Sequence, residues 1–162
     1  MQMPVISQKF PSFQSFADAE LQDILGTGLE DALHLESYVF SSIILENDNG
    51  NLKLKKLPIE AQFSAVNSFL IEDFDGDGQK DILVAGNKFD AEVETTPADA
   101  SPGLFLKGLG NLNYESTKSF ESGFFVPYNL KDMKLIKLKN DWGILASSND
   151  DILRIFKHLR LE

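Results

Sequence analysis

Between Asp73 and Asp81 the chain sets aspartates at the first, third, fifth and ninth positions of one short loop, with Gly76 and Gly78 between them. A hard divalent cation takes about six to eight oxygen ligands, so a loop that holds one must fold back and send alternate side chains inward. Glycine reaches the backbone conformations that such a turn needs, and its missing side chain leaves room for the Gln79 carbonyl as a further ligand. The predicted donors are Asp73, Asp75, Asp77, Asp81 and the backbone oxygen of Gln79. So many protein oxygens suit Ca²⁺ better than Mg²⁺, which keeps several waters and a strict octahedron.

The flanks decide what kind of metal loop this is. An EF-hand opens with the same residues but needs a bidentate Glu at its twelfth position and a helix on either side. Counted from Asp73, that position is Val84. Residues 67–73 and 81–86 are short aliphatic and β-branched runs ended by Asp or Gly, which is the pattern of buried strands. The cation would pin a β-hairpin instead of moving a pair of helices.

Elsewhere the pattern changes once along the chain. Residues 12–25 carry Phe13, Phe16, Ala17, Leu21, Ile24 and Leu25 at helical spacing, with Ser15 and Asp18 as a cap and Gly26 as a stop. A short second helix is expected over 28–35. From residue 37 onward short strands are predicted near 38–45, 52–57, 64–72, 81–85, 103–107, 112–116, 133–138, 143–147 and 152–157, punctuated by turns at 49–50, 108–111 and 149–151. The expected organisation is an N-terminal helical segment, 1–36, followed by a β domain, 37–162.

The run from Asn67 to Asn87, NSFLIEDFDGDGQKDILVAGN, closely resembles the FG-GAP or VCBS repeat of calcium-binding β-propellers, which also occurs in integrin α subunits. Residues 46–51 and 57–63 resemble the segments that precede this repeat in large secreted or cell-surface bacterial proteins. Residues 99–103, 121–126 and 148–156 resemble their C-terminal end. The resemblance implies a mainly β fold with N-terminal helices, built of about two to three FG-GAP-like blades of an incomplete propeller. It also implies a non-catalytic, extracellular or cell-surface scaffold for a protein or glycan ligand, either part of a longer propeller chain or self-associating. The alternative is an accessory domain of an envelope enzyme acting on polysaccharide. Residues 47–50 depart from the repeat by losing the carboxylate series, which puts a second cation there in doubt.

Charge bears on partners. The net charge is −10, with 6 basic and 18 acidic residues up to position 100 and 9 and 7 after it. An acidic surface repels phosphate backbones, which disfavours nucleic acid as a partner. The chain has no cysteine, so disulfides and thiolate metal sites are excluded. Neither a signal peptide nor an apolar run of membrane-spanning length is legible. The leader and first blades of an exported protein are expected to lie outside this sequence.

Catalytic readings are weaker. Asp73 and Asp75 form the DxD pair of some glycosyltransferases, but the Gly-Asp-Gly continuation closes the cage that substrate would need open. Glu92, Glu94 and Asp99 could pair for sugar hydrolysis, yet they stand on a Thr- and Pro-containing stretch of solvated character, 87–102. His34 and His158 accompany no nucleophile elbow. Lys131, Lys134, Lys137 and Lys139 are expected on the solvent face of a strand. Trp142 and the phenylalanines are expected in the core, with Phe124 and Phe125 as an apolar pair available to a partner.

Overall fold

A computed structural model describes residues 4–139 and 141–157. Backbone contacts divide the chain into two compact units, Met1–Phe40 and Ser41–Glu162. Among its described residues the first carries three short helices, α1 (Pro4–Lys9), α2 (Phe13–Ala17) and α3 (Leu21–Leu25), then a 3₁₀ turn over Gly26–Leu29. No helical residue in it is buried.

The single helix expected over 12–25 is therefore two. Ser12, and not Ser15, caps α2: its Oγ accepts from the Ser15 N–H at 3.1 Å, while the Ser12 N–H donates to Ser15 Oγ. Asp18 ends α2, and a second capping box starts α3, where the Glu20 N–H donates to the Asp23 carboxylate at 3.0 Å. Two start signals within nine residues outweigh a continuous apolar stripe, because each cap satisfies donors that a helix interior would otherwise bond. Gly26 stops α3 as expected, at φ 58°. The second helix expected over 28–35 is only the 3₁₀ turn, and α1 was not legible as a helix.

Among the described residues the second unit is built of nine strands. β1 (Ile43–Asp48) and β2 (Asn51–Lys56) form a hairpin. β3 (Val66–Glu72), β4 (Asp81–Gly86), β5 (Leu104–Gly108) and β6 (Tyr114–Thr117) form a four-stranded antiparallel meander. β7 (Leu130–Lys137), β8 (Trp142–Ser148) and β9 (Arg154–Lys157) form a third antiparallel sheet. Each predicted strand has a counterpart, with β1 starting later than expected and β7 earlier. Among the described residues the chain is thus mainly β, in three antiparallel sheets and no closed barrel. A helical turn, α4 (Ser119–Ser122), links the second and third sheets. No helix among the described residues is long and apolar enough to cross a membrane.

Inside the central sheet, β4 is covered on both faces, which is why it reads as an apolar run from Ile82 to Ala85 and is buried at every position. Leu83 and Ala85 join Leu130, Met133, Ile144 and Ala146 of the third sheet in the larger core. Ile82 and Val84 point the other way, to Leu106, Ile44 and Tyr114. Burying one such aliphatic side chain stabilises the fold by about 1.5–3 kcal/mol. The first strands of the two larger sheets are also joined by polar bonds. Asn67 Nδ2 donates to the Leu130 carbonyl at 2.7 Å, and Ser68 Oγ both donates to Asp132 and accepts from the Met133 N–H. At the end of β4 a Cβ on Gly86 would stand 1.9 Å from the Ala65 carbonyl oxygen, so only glycine fits.

Two expectations about aromatic residues are corrected. Trp142 is 55% exposed and Phe13, Phe40 and Phe120 are more so. Trp142 begins β8 opposite Lys137 at the end of its sheet. Phe124 and Phe125 do not act as a pair: Phe124 is buried against Phe156, while Phe125 faces outward.

Candidate metal centre

The predicted loop closes the β3–β4 hairpin, in which Glu72 pairs with Asp81. Gly76 and Gly78 have φ of 80° and 88°, the left-handed region in which a side chain is strained. The loop is organised from its own carboxylates. Asp73 accepts from the Gly76 N–H at 2.8 Å on one oxygen and from the Gly78 N–H at 3.0 Å on the other. Asp75 accepts from the Asp77 N–H, and Asp77 from the Gln79 N–H. Asp81 is fully buried and accepts from the Phe74 N–H at 2.9 Å and from the Gly108 N–H at 2.8 Å. That last bond ties the loop to β5.

Of the five predicted donors, the structure brings three carboxylates together. Oxygens of Asp73, Asp75 and Asp81 all lie within 4.8 Å of one another. Calcium binds oxygen at about 2.3–2.6 Å, so ligands on opposite sides of one ion stand about 5 Å apart at most. The three oxygens therefore fit a single coordination sphere. Their backbone bonds do not exhaust them, because each carboxylate oxygen carries two lone pairs.

Asp77 lies outside that group. Lys107 of β5 donates to Asp75 and also to Asp77, the latter at 2.7 Å. The hydrogen bond from Lys107, with that from the Gln79 N–H, holds the Asp77 carboxyl below the usual carboxylate range. Bonds to Asp75 and Asp77 in turn raise the Lys107 ammonium above its usual value. Gln79 contributes its N–H to Asp77. Lys107 was missed by sequence reasoning because it follows Asp77 by thirty residues and reaches the loop only through the β4–β5 pairing.

The other candidates separate in space. The turn after β1 is a tight hairpin with Asn49 and Gly50 at φ 52° and 94°, and Asp48 there is paired with Lys53 at 2.6 Å. Glu92, Glu94 and Asp99 are exposed on a loop closed by the Lys88 and Ala98 backbone bonds. His34 is exposed beside Glu36, and His158 lies outside the described residues. Lys131, Lys134, Lys137 and Lys139 are all exposed, the first two near Asp90 and Asp132.

The group at the β3–β4 turn offers carboxylate oxygens, which suit a hard cation. Comparison of the chain with family models, curated proteins and solved structures returned no match.

Proposed function

We propose that this chain is a calcium-binding module of the FG-GAP or VCBS type, its sheets serving as propeller-like blades in a non-catalytic scaffold for protein or glycan recognition at the cell surface or outside the cell. The observation that carries the reading is the meeting of Asp73, Asp75 and Asp81 oxygens at the tip of a strand hairpin, at a separation that one calcium ion spans. Two further features support it. The central and third sheets are antiparallel meanders stacked face to face with their first strands adjoining, as consecutive blades would be. The loop itself is flanked by strands, which suits a staple better than a sensor.

The test is calorimetric titration of chelator-treated protein with CaCl₂. The parent is expected to bind one ion per chain, and Asp75→Ala, which removes a half-exposed donor that only one loop N–H uses, is expected to lose the site. Equal heats in parent and variant would overturn the metal assignment.

A further inference from the structure

Between the β1–β2 hairpin and the β5–β6 turn the second unit holds a cleft of about 460 Å³, within the roughly 300–1,000 Å³ of small-ligand sites. One wall is Ile44 with the run from Lys55 to Pro58, and the other is Leu112, Asn113 and Tyr114. Each wall is fixed by bonds of its own. On the hairpin side the Leu57 N–H donates to the Ser42 carbonyl at 3.1 Å. The Gln62 amide donates to the Leu57 and Ser42 carbonyls, each at 3.2 Å, and accepts from the Ser42 N–H at 2.6 Å. On the sheet side the Leu109 N–H donates to the Asn113 carbonyl, and the Asn113 N–H to that of Gly110. Lys55 crosses the gap, its ammonium donating to the Asn111 carbonyl.

The turn is also strained where it meets the cleft, with Asn111 and Leu112 at φ of 51° and 56°. Asparagine tolerates that left-handed region, but leucine rarely enters it, and residues held so cluster at ligand sites. Gly or Asn at position 112 would make the turn without strain. Leucine there adds a branched apolar side chain to the lining instead.

The groups left without partners name the ligand. The Asn113 amide and the Tyr114 hydroxyl bond to no other described residue, and no buried side-chain oxygen or nitrogen among the described residues lacks a partner. Both groups therefore stand open to an incoming molecule, while the Tyr114 ring is anchored on Ile82, Val84 and Leu106. No residue of the lining is acidic, yet the cleft does not call for an anion. Lys55 also stands 3.5 Å from Glu46, and side chains alternate along β2, so that of Lys56 leaves on the other face. An amide and a hydroxyl beside Leu57, Pro58 and Leu112 match a ligand with uncharged hydroxyls on its edge and C–H groups on its face. That is the chemistry of a neutral sugar ring.

We infer that this cleft binds an uncharged sugar residue. The Asn113 amide and Tyr114 hydroxyl bond its hydroxyls, and Leu57, Pro58 and Leu112 cover its apolar face. The inference rests on the glycan reading above and not on the cation, so calcium titration and sugar binding can fail independently.

The experiment is two-dimensional amide NMR of the full chain, titrated with uncharged trisaccharides of glucose, galactose, mannose and N-acetylglucosamine and with a sulfated trisaccharide. At least one uncharged sugar is expected to shift the Leu57, Leu112, Asn113 and Tyr114 amide signals to saturation. Asn113→Ala and Tyr114→Phe each remove one hydrogen bond and are expected to weaken that binding about tenfold. Tyr114→Phe keeps the ring in the core, and the unfolding midpoint checks that both variants are folded. Val93→Ser, exposed on the loop after β4, is expected to bind like the parent. Cleft amides that no uncharged sugar moves overturn the inference. Shifts confined to other residues, or parent-like affinity in both cleft variants, overturn it while leaving glycan recognition standing elsewhere on the chain. Tighter binding of the sulfated sugar overturns the chemical class.

Discussion

Replacing Asp81 by Ala separates the two roles that this carboxylate combines. Asp81 is fully buried, and its oxygens accept from the Phe74 N–H at 2.9 Å and the Gly108 N–H at 2.8 Å. Hydrogen bonds to a charged group contribute about 1.5–3 kcal/mol each, and loss of the acceptor leaves the Gly108 donor inside the protein without it. Relief of the cost of burying a charge offsets part of the sum. The expected net loss for Asp81→Ala in chelator is about 3 kcal/mol, a large fraction of the roughly 5–15 kcal/mol that holds a domain together. With a urea slope of about 2 kcal/mol per molar, the unfolding midpoint falls by about 1.5 M. Asp75→Ala, measured beside it in chelator, removes no buried bond and is expected to stay within about 0.5 kcal/mol of the parent. Urea unfolding followed by circular dichroism, with and without CaCl₂, reads both effects. Calcium should raise the parent's midpoint and leave both variants where they were. An Asp81→Ala midpoint equal to the parent's in chelator would refute the structural role of the carboxylate.

Other outcomes follow from the same geometry. Calcium at tenfold excess over its dissociation constant is expected to stabilise the parent by about 1.4 kcal/mol, read as a rise in thermal midpoint that magnesium at equal concentration does not match. Asp77, Asp132 and Asp151 are held below the usual carboxylate range, chiefly by Lys107, by Ser68 and by Arg154. Their stabilisation is present above the unfolded carboxylate value near 3.9 and is lost as pH falls through the lower folded values, so unfolding free energy in chelator should decline below about pH 4. Lys107→Met should flatten the Asp77 part of that decline, and an unchanged acid limb would contradict the pairing. Gly86→Ala, whose added carbon would meet the Ala65 carbonyl at 1.9 Å, should cost about 1–3 kcal/mol in urea unfolding.

How much of this was legible in the sequence depended on the range of the interaction. The acidic loop was legible because its carboxylates and glycines lie within nine residues and its strands alternate or bury locally. The strand list was legible for the same reason, down to β4, whose unbroken apolar run matches burial on both faces. The N-terminal stripe misled because capping by Ser12 and Glu20 acts on single backbone donors, which an apolar periodicity does not register. Lys107 and the buried bond from Gly108 to Asp81 carry no local pattern at all, since the β4–β5 pairing brings them to the loop from about thirty residues away. Trp142 was misplaced because composition ranks a side chain by its type, whereas its exposure follows from standing at the end of a sheet.

The arrangement of the loop also bears on whether a cation there would switch the protein or hold it. In a sensor the ion supplies the order, and its arrival rearranges packed elements. Here Asp73 is already fixed by the Gly76 and Gly78 N–H groups, and Asp81 by those of Phe74 and Gly108. The strands that carry them are paired from Val66–Gly86 to Glu72–Asp81, and the second of them is buried throughout. The Lys107 ammonium must give ground, because it stands on Asp75 and Asp77 in the acidic loop. An ion entering such a site therefore has a local exchange to make, one side chain for one metal, with the sheets left as they are. The differential affinity that could drive a larger motion requires two packings of the surrounding strands, and a strand buried on both faces offers one. Calcium should accordingly change the unfolding midpoint while leaving the far-ultraviolet dichroism of the folded chain unaltered, and a spectral change on titration would assign the loop to a switch.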